Sequence, residues 1–173
     1  MVEVVIDSIR VSLMSQHRVV ILKEKNSDRF LSIWIGPYEA EAITVSLQEL
    51  EVARPLTHDL LRSLVSSLGA EVKQVNITEL KEDVFYAKII LSVNGNELEI
   101  DSRPSDALAL AVRVHVPIFI DETVMEEAAS EPDAEVGVGD VPDEESEERL
   151  EVFKDFVDTL DLGDIESSEG DEN

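Results

Sequence analysis

Between Glu97 and Leu110 the hydrophobic pattern changes its period within a few residues. Leu98 and Ile100 alternate with Glu97 and Glu99, as along a half-buried strand, and Ala107-Leu108-Ala109-Leu110 then continue as an apolar helix. The junction between them is Asp101-Ser102-Arg103-Pro104-Ser105-Asp106. Pro104 presets φ for a first helical turn, Ser102 or Ser105 can cap it, and Asp106 stands where a helix start favours negative charge. A capped helix start needs one serine and at most one acid. The remaining polarity marks this junction as a candidate site.

A second segment has the same grammar. Arg54-Pro55-Leu56-Thr57-His58-Asp59 runs Arg-Pro, then a hydroxyl residue, then an aspartate at the head of a helix. Thr57 is the expected N-cap. Leu60, Leu61, Leu64, Val65 and Leu68 form the expected buried stripe, and Gly69 ends the helix. Two helix starts, each preceded by an arginine, make a physical recipe for holding an anion. The alternative is that both arginines pair with nearby carboxylates and pin loops.

The rest of the chain divides by charge. Residues 1–130 carry 12 Lys+Arg against 21 Asp+Glu, a net −9, whereas residues 131–173 carry 2 against 18, a net −16. The absence of cysteine removes disulfides, thiolate nucleophiles and cysteine-rich zinc sites. No apolar run reaches the length of a membrane span, and Glu3 and Asp7 interrupt the first strand, so the expectation is a cytoplasmic protein with no membrane partner. Net acidity argues against electrostatic coating of nucleic acid. It leaves room for an enzyme that touches nucleic acid locally.

Strands are expected at Val2–Leu13, with a bulge near Asp7-Ser8, at Arg18–Lys25 after a turn at Ser15-Gln16-His17, and at Phe30–Ile35. Gly36-Pro37 ends the third strand, and Glu39–Leu50 reads as a helix with Ala40, Ile43, Leu47 and Leu50 on one face. After the Arg54-Pro55 helix come strands at Glu71–Leu80 and Val84–Val93, then the hairpin turn Asn94-Gly95-Asn96. A short strand at Pro117–Ile120 and a helix at Glu122–Ala129 close the domain. Strands in meanders with helices between them give an α+β fold with a mixed, largely antiparallel sheet and three to four helices packed on it. Trp34, inside Phe30–Ile35, is expected in the core. Open sheet edges and the apolar Phe30–Ile35 segment predict a homodimer or higher homo-oligomer.

The domain is expected over 1–130, an acidic disordered linker over 131–148, a short amphipathic helix over 149–162 and a disordered tail over 163–173. In the helix, Phe153, Phe156, Val157 and Leu160 share a face.

Three segments in order resemble one family. Ile35-Gly36-Pro37-Tyr38-Glu39-Ala40-Glu41-Ala42-Ile43, Arg54-Pro55-Leu56-Thr57-His58-Asp59 and Asp101-Ser102-Arg103-Pro104-Ser105-Asp106-Ala107 look like the successive blocks of the bifunctional nuclease domain family. The resemblance covers about residues 1–130, and the acidic extension is similar to that of bacterial members. It implies cleavage of DNA, RNA or both.

Roles then follow from phosphodiester chemistry, which needs an activated water, stabilised phosphoryl charge and help for the leaving oxygen. His58 is the candidate general acid–base group, with Asp59, Asp101 and Asp106 completing a catalytic set. The alternative for His58 is a helix-start residue bonded to a neighbouring loop, and for Asp59 and Asp106 it is helix-dipole complementarity. Arg54, Thr57, Ser102, Arg103 and Ser105 are the candidate substrate contacts. Glu39, Asp101 and Asp106 are the candidate ligands for Mg²⁺ or Mn²⁺. The rival to a nuclease is a non-catalytic regulatory module that binds a small anion or a partner's acidic segment.

Overall fold

The computed structural model describes residues 1–11 and 17–130. The expected acidic linker, amphipathic helix and tail lie outside the described residues, as do Leu13, Ser15 and Gln16. In chain order the elements are β1 (Val2–Val11), β2 (Arg18–Glu24), β3 (Phe30–Ile35), α1 (Pro37–Leu47), α2 (Thr57–Ser67) and β4 (Ala70–Lys81). They continue with β5 (Val84–Val93), β6 (Asn96–Ser102), α3 (Pro104–Val114), β7 (Ile118–Ile120) and α4 (Glu122–Ala128).

The strands form one seven-stranded sheet in the order β3-β2-β1-β7-β4-β5-β6. Two antiparallel meanders, β1-β2-β3 and β4-β5-β6, are joined through β7, antiparallel to β1 and parallel to β4. This is the expected mixed α+β architecture. Local chemistry sets the turns. Glu82-Asp83 and Asn94-Gly95 both take the paired positive φ values of tight hairpin turns, and the β1 register shifts between Ile6 and Ser8.

Helix α3 is the centre of the core. Ala107, Leu108, Ala109, Leu110 and Ala111 are buried, beneath α1 and α2 on one side and against β4 and β5 on the other. Its alanines permit close approach of the helix to the sheet, and Val75, Ile77, Ala87 and Ile89 supply the facing surface.

Five expectations about burial and capping change. Trp34 is 63% exposed, because the alternation that buries Leu31 and Ile33 turns Trp34 to the opposite face. On α2 only His58 is buried, with Leu61 and Val65 packed against the core; Leu60, Leu64 and Leu68 face outward. The buried stripe is narrow because α2 rests at the side of α3 and β4. Helix α1 starts at Pro37 and stops at Leu47, since Glu49 adopts positive φ, and Leu47 and Leu50 are exposed. Leu98 and Ile100 lie opposite core residues Leu91 and Ile89, hence on the helix side of the sheet, yet edge strand β6 leaves them exposed.

Neither helix start uses its expected hydroxyl cap. Leu56 is the N-cap of α2, which puts Thr57 in the first turn, and the Asp59 carboxylate accepts the Leu56 N–H at 2.8 Å. Arg103 is the N-cap of α3, so Ser102 and Ser105 do not cap it.

Candidate functional site

Three helices begin around one cavity. Pro37 and Pro104 occupy the first turns of α1 and α3, where their missing N–H groups cost nothing, and Pro55 precedes the start of α2. The cavity, of about 540 Å³, is lined by Tyr38, Glu39 and Glu41 from α1, by Pro55 to His58 at α2, and by Arg103 and Asp106 at α3.

A continuous polar network crosses its floor. The Asp106 carboxylate spans two partners: His58 Nε2 lies 3.1 Å from Oδ1, and Arg103 Nε donates to Oδ2 at 2.8 Å. Arg103 Nη2 donates to Glu39 Oε1 at 2.7 Å. The hydrogen bonds that Arg103 donates to Asp106 and Glu39 raise its pKa further above the ordinary value. Two carboxylates therefore orient one guanidinium whose side chain is still 67% exposed. Its remaining N–H groups are available to an incoming oxyanion.

Gly36 makes the Glu39 position possible. Its backbone is extended, with φ −69° and ψ 157°, so any residue could adopt it. A Cβ there would lie 2.2 Å from Glu39 Oε2. The glycine is needed for space, and the space is filled by the carboxylate that holds Arg103.

His58 is nearly enclosed, with a side chain 8% exposed. The contact to Asp106 is best satisfied by an Nε2–H donor, which leaves the lone pair of the neutral ring on Nδ1. Nδ1 is buried and has no hydrogen-bond partner among the described residues. Ser102 Oγ is in the same condition.

The structure thus brings together His58, Asp106, Arg103 and Glu39, with Thr57 at the rim, and separates the others. Asp59 turns away from the cavity: Oδ1 accepts from Arg113 Nε at 2.8 Å, and Oδ2 holds the Leu56 N–H. Burial pushes the Asp59 carboxyl up, but the Leu56 N–H and the Arg113 guanidinium outweigh that effect and hold it below the ordinary value. Arg54 is exposed in the loop before α2 and has no partner among the described residues. Ser105 is buried in the first turn of α3 and lines a neighbouring cavity.

Asp101 sits opposite Lys88, on the sheet face away from the helices, because Ile100 beside it faces them. The expected metal triad is therefore not assembled: Asp101 is across the sheet, and Glu39 and Asp106 both engage Arg103. Among the described residues no group of three or more His, Cys, Asp or Glu is arranged to hold an ion. Sequence reasoning missed Tyr38, Gly36 and Arg113. Gly36, three residues before Glu39 at a helix start, was the signal that could have found the cradle.

Residues 20–133 match the bifunctional nuclease domain, and the chain belongs to that family. An uncharacterized protein of Mycobacterium tuberculosis (strain ATCC 25618 / H37Rv) is 40% identical over 171 residues, which is 96% of this chain and 99% of that protein. Bifunctional nuclease 1 of Oryza sativa subsp. indica is 30% identical over 111 residues, 62% of this chain and 34% of the plant protein. Bifunctional nuclease 1 of Arabidopsis thaliana is 29% identical over 110 residues, 61% of this chain and 34% of its own length. Among the described residues no helix is long and apolar enough to cross a membrane.

Proposed function

We propose that this chain hydrolyses phosphodiester bonds of nucleic acid at the cavity where α1, α2 and α3 begin. The observation that carries the reading is Arg103, oriented by Asp106 and Glu39 at the mouth of that cavity and still open to solvent. A fixed, exposed guanidinium among three helix N-termini favours the negative charge that builds on phosphoryl oxygens in the transition state. The N–H groups not engaged by Glu39 and Asp106 contact the non-bridging oxygens.

His58 is the proton-transfer group and Asp106 its positioning residue, setting the ring's tautomer and orientation. Substrate entry has to uncover Nδ1, or draw Nε2 from Asp106, before the ring exchanges a proton. No step is assigned to a divalent cation, since the carboxylates expected to bind it are dispersed or engaged by Arg103. DNA and RNA are both within this chemistry, because Arg103 addresses the phosphate and neither the sugar nor the base.

The enclosure of Nδ1 favours a second reading, a non-catalytic module that binds a small anion or an acidic partner at Arg103. One experiment separates the two. Highly purified protein and its His58→Ala variant are assayed on DNA and RNA, with Mg²⁺, with Mn²⁺ and with chelator. The nuclease reading expects turnover to fall by about 10²- to 10⁴-fold in the variant. Equal turnover in both proteins identifies a contaminant. Anion binding without cleavage leaves the binding module.

A further inference from the structure

Arg103 lines two cavities. On one side is the 540 Å³ cavity that contains His58 and Tyr38. On the other is a cavity of about 260 Å³, lined by Trp34, Gly36, Arg103 and Ser105 together with Asp83 of the β4–β5 turn and Val84 and Phe85 of β5. Strand β3 stands at one end of the strand order and β5 near the other, so the sheet curls enough for both to border this second cavity.

Each cavity has an exposed aromatic residue in its wall. Trp34 is 63% exposed and Tyr38 is 81% exposed, unusual values for large aromatic rings. Neither is needed for the core. Trp34 is held edge-on by His17, with ring centroids 5.6 Å apart and planes at 81°, so its orientation is supported from one side. Placing a phosphate-binding group between two outward-facing rings reproduces the chemistry of one unit of a polynucleotide: base, phosphate, base.

We propose that Trp34 and Tyr38 are base-stacking platforms on either side of Arg103, and that the chain's substrate class is single-stranded nucleic acid. The inference rests on the reading that nucleic acid is the ligand at Arg103, and it adds which form is bound. A base must leave its neighbours to lie on an aromatic ring, and a duplex presents no such free faces. Stacking also addresses the net charge. Every base has a π-face and no charge, so two stacked bases add affinity that the −9 domain cannot supply by long-range attraction.

Trp34 is the sole tryptophan of the sequence, so the experiment has its own reporter. The full chain is titrated with a single-stranded oligonucleotide and with the same strand annealed to its complement, following tryptophan emission, and cleavage is read on gels from the same samples. The expected result is quenching by the single strand and little by the duplex. Tyr38→Ala, which keeps the reporter, should bind the single strand about 5- to 150-fold more weakly, and Trp34→Phe should bind better than Trp34→Ala when binding is read from the anisotropy of a dye-labelled strand.

Quenching without cleavage supports the platform and sinks the hydrolysis reading. Cleavage with unchanged emission, and with single-strand binding intact in Tyr38→Ala and Trp34→Ala, overturns the platform and leaves hydrolysis standing. Equal quenching by strand and duplex also overturns it. So does emission that responds only to protein concentration, which would make Trp34 a contact between copies of the chain.

Discussion

Asp59 and Arg113, 54 positions apart, meet at 2.8 Å, and the Arg113 side chain is only 4% exposed. Arg113 Nη1 also donates to the Ala109 carbonyl at 2.7 Å, so the guanidinium is fixed within the last turns of α3. This pair clamps the start of α2 to α3, and it sets where His58, the next residue to Asp59, can reach. Asp59 therefore acts on the site through position.

Breaking that clamp leaves a buried cation without its counter-charge. Asp59→Ala should cost about 3–5 kcal/mol in chemical unfolding, and Asp59→Ala with Arg113→Met should recover part of the loss. A single-variant cost no larger than that of an exposed ion pair, about 1 kcal/mol or less, would show the clamp to be dispensable.

The same pair gives a pH dependence. Because the folded Asp59 carboxyl lies below its unfolded value, its contribution is fully present above about pH 4 and is lost as pH falls through the folded value. Acid unfolding monitored by circular dichroism should shift toward neutrality in Asp59→Asn. A coincident midpoint would reject the assignment.

Arg103→Ala should reduce cleavage by about 10²- to 10³-fold, as expected for the loss of one fixed transition-state donor, with little change in melting temperature. Arg103→Lys should not restore the rate, because an ammonium cannot meet Asp106, Glu39 and phosphate in the same fork geometry. Recovery by lysine would reduce the role of Arg103 to that of a point charge.

Gly36→Ala should leave the fold intact and dislodge Glu39, since the atom a Cβ would strike is the end of a movable side chain. Arg103 then loses one of its two anchors. The Nη2 hydrogens that Glu39 held should exchange faster with solvent, as measured by NMR, and Glu39→Gln should resemble it. An unchanged exchange rate in Gly36→Ala would mean that the carboxylate is held by something other than the space above the glycine.

Leu60 and Leu64 on α2 and Leu68 at its C-cap form an exposed i, i+4, i+8 row, and a ridge of this kind is expected to pack against its own copy about a two-fold axis. Light scattering should show a dimer, and Leu64→Lys should weaken it. A strict monomer at high concentration would reject self-association through this row.

Much of the fold was legible because its signals are local. Asn94-Gly95, Gly36-Pro37 and the alternation of Val75 and Ile77 each declare their structure within a few residues. Burial was less legible. Leu60 and Leu64 read as core, and Trp34 read as core, because a periodic apolar pattern identifies a face without stating whether another element covers it. At the site, an Arg-Pro pair followed by an aspartate, Arg-Pro-x-x-x-Asp from Arg54 and Arg-Pro-x-Asp from Arg103, located both helix starts but not the direction of each side chain. Asp59 and Asp106 occupy equivalent first-turn positions, yet one turns to Arg113 and the other to His58 and Arg103. That difference is decided by what α3 places beside them, which spacing along the chain does not encode.

The three-residue strand β7 has a consequence for how the chain acquires its structure during synthesis. Val2 to Val4 pair with Ile118 to Ile120, so the amino-terminal meander keeps an open inner edge until the last tenth of the described domain has been made. Its two hairpins can close early, but the half-sheets have no bridge between them, and α3 has no complete surface to cover. Completion is therefore expected only after residues near Ile120 have left the ribosome. Before that point, the open inner edge of β1 is the segment a chaperone would have most reason to shield.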